Sequence, residues 1–89
     1  MGRNDDSGAF PPDYETQVWA YLQHVLEQPC SVRDLRISRP IQSLQTWQSC
    51  VSLDAKNSAG AYVGLKDYTF DFNDGHIVAT RRGCDGLAS

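Results

Sequence analysis

Residues 47–64, WQSCVSLDAKNSAGAYVG, limit the chain most: they read as a strand, a small-residue turn and the start of a second strand. Between 47 and 55 the odd positions are mostly apolar: Trp47, Val51, Leu53 and Ala55. The even positions Gln48, Cys50, Ser52 and Asp54 are mostly polar. A period of two turns one face of a strand toward a core and the other toward water. Lys56 to Gly60 then form a turn, because Asn57 and Gly60 tolerate left-handed backbone geometry. Such a hairpin needs a cover for its apolar face.

The cover is upstream. Asp13 suits a helix N-cap, and Glu15 lies in the first turn, where the helix dipole favours negative charge. Tyr14, Val18, Tyr21, Leu22, Val25 and Leu26 follow helical spacing and make one apolar stripe, with Trp19 at its edge. Glu15, Gln17, Gln23 and Glu27 face away. Pro29 disfavours helical geometry at Gln28, so the helix is expected to stop there. His24 has Ala20 and Gln28 as its neighbours one turn away, and neither is a catalytic partner.

Further strands complete a sheet. In 32–38, Leu35 and Ile37 alternate with Asp34, Arg36 and Ser38. Arg39 and Pro40 end this segment and suit a sheet edge. Residues 41–46 read as a connection. Residues 61–72 change phase, with Val63 and Leu65 at odd positions but Tyr68, Phe70 and Phe72 at even ones, so a bulge or bend is expected near Lys66 and Asp67. Asn73, Asp74 and Gly75 are the strongest hairpin signal in the chain, followed by a last strand over 76–80. The expected fold is α+β: one N-terminal helix packed on a three- to four-stranded antiparallel β-sheet, in two layers. Residues 1–12 are expected to form a flexible N-terminal arm in which Phe10 folds back onto the helix, 13–83 the single domain, and 84–89 a short tail.

Eighty-nine residues provide one core, expected to contribute only ~3–5 kcal/mol net, so a disulfide or a partner matters. The net charge of −3 and eight scattered basic residues argue against nucleic acid as a partner. Arg33, Arg36 and Arg39 are close, but Asp34 interrupts them. No apolar run approaches the ~18 residues of a membrane span. The first residues carry neither signal-peptide regions nor a myristoylation pattern, since Asp6 stands where Ser or Thr is needed. A lipid anchor would lie upstream of residue 1.

Three cysteines, Cys30, Cys50 and Cys84, lack any C-x-x-C or metal-ligand spacing, so no metal and no cofactor is expected. In an exported chain they suggest one disulfide and one spare thiol; in the cytosol, three thiols. Centring the hairpins on Ser58 and between Asp74 and Gly75 sets Cys50 level with Lys66, and Lys66 level with Gly83. Cys50 and Cys84 then stand two strands apart, roughly 9.5 Å, beyond the ~7 Å reach of a disulfide. The expected bridge is Cys30–Cys84, with both partners at element ends. A Cys50–Cys84 bridge, which requires the tail to curl across the sheet, is the alternative.

Trp47, Gln48, Ser49, Cys50 and Val51, then the run from Ala55 through Lys56, Asn57, Gly60 and Tyr62 to Gly64, resemble a group of small proteobacterial envelope proteins, lipoproteins or secreted. Their pattern is W-x-x-C-V followed by A-K-N-x-x-G-x-Y-x-G. The segment PCSVRDLRI at 29–37 is similar to their P-D-S-V-R-D-L-R-I segment, with Cys30 in place of the usual acidic residue. The resemblance covers 29–64. It implies an extracytoplasmic location, periplasmic or membrane-anchored in a Gram-negative bacterium. It implies no reaction and no catalytic residues.

Little else points to chemistry. A Cys50 nucleophile would need a base such as His24 or His76 within hydrogen-bond reach. Asp67, Asp71, Asp74 and Asp85 do not form a calcium loop. Asn57 suits either turn hydrogen bonding or partner contact. Tyr62 and Lys66, together on an uncovered sheet face, would make an amphipathic binding surface. The expectation is a non-enzymatic protein–protein interaction module that binds another envelope protein or itself. The alternatives are a small inhibitor or immunity-like protein and, more distantly, a cysteine-dependent enzyme.

Overall fold

The computed structural model describes residues 10–43 and 45–84. Helix α1 spans Tyr14–Val25. Asp13 stands at its N-cap position, but its carboxylate accepts from Gln17 Nε2 (2.9 Å) instead of from the helix backbone. The helix stops three residues before Gln28. Leu26 is already extended, while its N–H still donates to the Leu22 carbonyl. The chain straightens ahead of Pro29, which opens a short 3₁₀ turn, Pro29–Ser31, where its missing N–H costs nothing.

Five strands follow: β1 Arg33–Ile37, β2 Ile41–Gln42, β3 Trp47–Asp54, β4 Lys66–Asn73 and β5 His76–Arg82. They form one antiparallel sheet in the order β1-β3-β4-β5, with β2 paired to β3. The two-layer α+β architecture is therefore as expected, and β1 takes the edge. β2 falls where a connection was expected. It continues the line of β1 along β3 after an interruption at Ser38, Arg39 and Pro40. Ser38 maintains the pairing there: its N–H donates to the Cys50 carbonyl (2.9 Å), and its hydroxyl accepts from the Cys50 N–H (2.8 Å). The β1 edge also carries a bulge between Arg33 and Arg36, with Asp34 at a φ of 56°.

The second strand of the hairpin is shorter than its sequence suggests. β4 begins at Lys66, and residues 61–65 belong to the connection, apart from a bridge between Lys56 and Tyr62. This removes the conflict of phase. Val63 and Leu65 are exposed loop residues, whereas Tyr68, Phe70 and Phe72 share one face of a regular strand. Pairing at Lys66 and Asp67 is continuous. The irregularity lies instead opposite Asp71 and Phe72, where Val78 is the extra residue of β5. Asp74 and Gly75, with φ of 55° and 85°, join β4 to β5 in the two-residue turn that suits the sheet twist.

The core lies between α1 and one sheet face: Val18 and Leu22 from the helix, Val51, Leu53, Phe70 and Phe72 from the strands. Pairing places Ser49 against Phe70 and Val51 against Tyr68 on that same face. Gln17 fastens the helix start to the sheet end, donating to the Gly75 carbonyl and accepting from the Ile77 N–H (3.2 Å). Phe10 sits edge-on to Tyr14 and Trp47, with ring centroids 6.1 and 5.1 Å away, under the Arg39 guanidinium. Residues 10–12 therefore adjoin the domain, and Pro11 is buried. The rest of the expected arm, 1–9, and residues 85–89 of the tail lie outside the described residues.

The expected Cys30–Cys84 bridge is not the one formed. Cys84 bonds Cys50, with their Cα atoms 5.7 Å apart, and Cys30 is free and exposed. Register explains the correction. Cys50 stands opposite Thr69, not Lys66, and Thr69 stands opposite Arg81. After β5 the chain bends at Gly83, whose φ is 86°, and crosses above β4 toward β3. Thr69, fully buried, donates its hydroxyl to the Gly83 carbonyl (2.6 Å) and holds that crossing in place.

Candidate binding site

The sheet end that holds the β3–β4 connection is built around two side chains, Asp54 and Asn57. Asp54 is only 5 % exposed. One carboxylate oxygen accepts from Arg33 Nε and Nη2, both at 3.2 Å, and the other accepts from the Gly64 N–H (3.0 Å). A buried carboxylate needs such partners to offset its lost hydration. Here they tie β1, β3 and the far end of the loop together.

Asn57 organises the turn. Its Oδ1 accepts from the N–H groups of Ala59 (2.9 Å) and Ala61 (3.2 Å), its backbone N–H donates to the Ala61 carbonyl, and its carbonyl accepts from Gly60. Gln28 Nε2 donates to the same carbonyl (2.8 Å), linking the turn to the chain after α1. Asn57 thus performs the turn-forming role weighed from sequence. Its side-chain oxygen is occupied within the loop.

Tyr62 folds back on the 3₁₀ turn. Its hydroxyl donates to the Ser31 carbonyl (2.8 Å), and the Arg33 guanidinium lies 3.6 Å from its ring centroid. Lys56 Nζ is 5.6 Å from the same centroid, and the Lys56 N–H donates to Ser31 Oγ (2.8 Å). Lys66 stands opposite Leu53, so it belongs to the helix-covered face and not to the free one. The expected pairing of Tyr62 with Lys66 on an uncovered face is therefore not what the register gives.

Lys66 and Asn57 instead line a pocket of about 300 Å³ between the end of α1 and the loop, walled by Val25, Leu26, Val63 and Tyr68. A second pocket of about 290 Å³ shares Val25, Leu26 and Tyr68 and runs on toward Phe70 and Thr80. Together they form a groove where the helix stops short of covering the sheet. Val25, the last helical residue, is 52 % exposed there although it belongs to the apolar stripe. Val63 and Leu65 are 48 % and 64 % exposed.

Sequence reasoning passed over Arg33, Asp54, Val25, Val63 and Leu65 as site residues. The signal for Val63 and Leu65 was the phase change itself, which can mean a bulge or an apolar loop. Asp54 gave none, because alternation assigned it to a solvated face.

Other candidates are used up or isolated. Cys50 is in a disulfide, so its sulfur is not a thiol nucleophile. His24 and His76 are exposed. Among the described residues no cluster of His, Cys, Asp and Glu could hold a metal ion, and no helix is long and apolar enough to cross a membrane. Comparison of the chain with protein-family models, curated proteins and solved structures finds no match.

Proposed function

We propose that the chain is a non-enzymatic protein-binding module of an extracytoplasmic compartment, and that it engages its partner with the end formed by the 55–65 loop and the end of α1. One observation carries the reading. Tyr62, Val63 and Leu65, three of the large apolar side chains exposed at the surface, sit on this one loop, and Val25 lines the pocket together with Val63. Scattered surface apolar residues are ordinary, whereas a cluster on a braced support suits an interface. The Cys50–Cys84 disulfide supports the compartment, since such bonds persist where the surroundings are oxidising. The resemblance to Gram-negative envelope proteins points the same way.

The test is site-specific photo-crosslinking in the cell that makes the protein. A photoreactive residue at position 65 should give a discrete adduct, and one at Arg36, on the β1 edge, should not. Equal yields from both positions would overturn the reading.

A second reading, a small inhibitor or immunity-like protein, draws on the bracing of the turn by Asn57. A rigid loop with the small residues Ser58, Ala59 and Gly60 at its tip could enter a cleft. It predicts that position 59 crosslinks more strongly than position 65.

A further inference from the structure

We infer that the pocket between the end of α1 and the β3–β4 loop receives an extended peptide segment carrying an apolar side chain and, one or two residues away, a carboxylate. This rests on the protein-binding reading and names the chemistry of the segment that fits there.

The apolar half of the requirement comes from the walls. Leu53 and Tyr68 lie beneath, and Val25 and Val63 stand on either side, both about half exposed. A volume of about 300 Å³ accommodates one large apolar side chain with the peptide group that carries it. The rim provides the acidic half. Lys56 and Lys66 line the same pocket, and each is half-buried. Among the described residues the ion pair is Arg33–Asp54, and neither lysine takes part in one. Glu27, on the opposite wall, is exposed.

Lys66 lines this largely apolar pocket and has no carboxylate partner among the described residues, which favours an anion brought by a partner; charge complementarity of this kind selects among partners. Lys56 faces the Tyr62 ring, so an apolar group alone would leave Lys66 without a counter-ion; an anion alone would leave Val25 and Val63 in water. In an extended segment, residues two apart project from the same side at roughly 7 Å. A single short stretch can therefore meet both needs.

The experiment is selection of a phage-displayed random peptide library on three forms of the protein: wild type, Lys56→Gln/Lys66→Gln and Lys56→Glu/Lys66→Glu. Far-ultraviolet circular dichroism confirms that all three are folded. The wild type is expected to select peptides with Leu, Ile, Val, Phe or Met within two residues of Asp or Glu. The Gln variant should lose the acidic preference, and the Glu variant should replace it by Lys or Arg. A synthetic wild-type-selected peptide should bind the Glu variant at least ten-fold more weakly, and should shift the amide resonances of Val25, Val63 and Lys66.

The inference is overturned if the wild type selects no acidic residue, if all three forms select one motif, or if the resonance shifts fall elsewhere. It is likewise overturned if sedimentation shows a dimer that closes the pocket, a second copy then being the occupant. Adducts from position 65 would survive any of these failures, so loss of the inference and loss of the protein-binding reading can be told apart.

Discussion

Cys84 reaches Cys50 across an intervening strand, passing above Thr69 with the two Cα atoms 5.7 Å apart. The bond closes a span of 34 residues that contains the second half of β3, the loop, β4 and β5. Its removal by Cys84→Ser is expected to cost ~3–4 kcal/mol, by the dependence of cross-link stabilisation on loop length. Cys30→Ser should leave stability within about 0.5 kcal/mol, as an exposed substitution outside the bridge. Denaturant titration of both variants, with and without reductant, checks the pair. Equal effects of the two substitutions would contradict the assigned bridge.

Asp54 is expected to matter more than Arg33, although they form one ion pair. Asp54→Ala removes the acceptor for the Gly64 N–H as well as for the guanidinium, and should cost ~1–3 kcal/mol. Arg33 is 54 % exposed, so Arg33→Ala should cost about 1 kcal/mol or less. Denaturation midpoints of the two variants decide it, and a larger loss for Arg33→Ala would refute the order.

The turn between β4 and β5 gives a backbone test. Gly75 has a φ of 85° and open space where a Cβ would stand, so Gly75→Ala meets conformational strain without a clash. A cost of about 1–2 kcal/mol is expected. Unchanged thermal stability would show that the turn tolerates another geometry.

Phe10 joins the described N-terminal residues to the domain through Trp47. Phe10→Ala should cost ~1–2 kcal/mol from lost apolar burial and ring contact. It should also alter the near-ultraviolet circular dichroism of Trp47. An unchanged spectrum would place Phe10 away from that ring.

Much of the fold could be read from residue pattern because each element has a local cause. The stripe Tyr14, Val18 and Leu22 makes a helix, and Asn73, Asp74 and Gly75 make a hairpin. The disulfide is less legible because the choice between Cys30–Cys84 and Cys50–Cys84 depends on register. Centring the first hairpin on Ser58 set Cys50 against Lys66, but the longer connection sets it against Thr69. The crossing at Gly83 is the tail curl that the alternative Cys50–Cys84 pairing requires, and what favours it, the buried Thr69 hydroxyl, lies on another strand. The candidate site is half legible in the sequence. Asn57 reads as a turn residue, but the faces that Tyr62 and Lys66 take follow from where β4 begins. Asp54 shows the limit most clearly, since alternation alone cannot separate a solvated aspartate from one buried against an arginine on the next strand.

The 55–65 loop is braced from within by Asn57 and Asp54, and our proposal of partner binding requires that this bracing persists in solution. Amide hydrogen exchange tests it most directly. The N–H groups of Ala59 and Ala61, bonded to Asn57 Oδ1, and of Gly64, bonded to Asp54, should exchange markedly more slowly than in an unstructured peptide. Asn57→Ala should abolish the protection at Ala59. Exchange at the free-peptide rate at all three positions in the wild type would contradict the account.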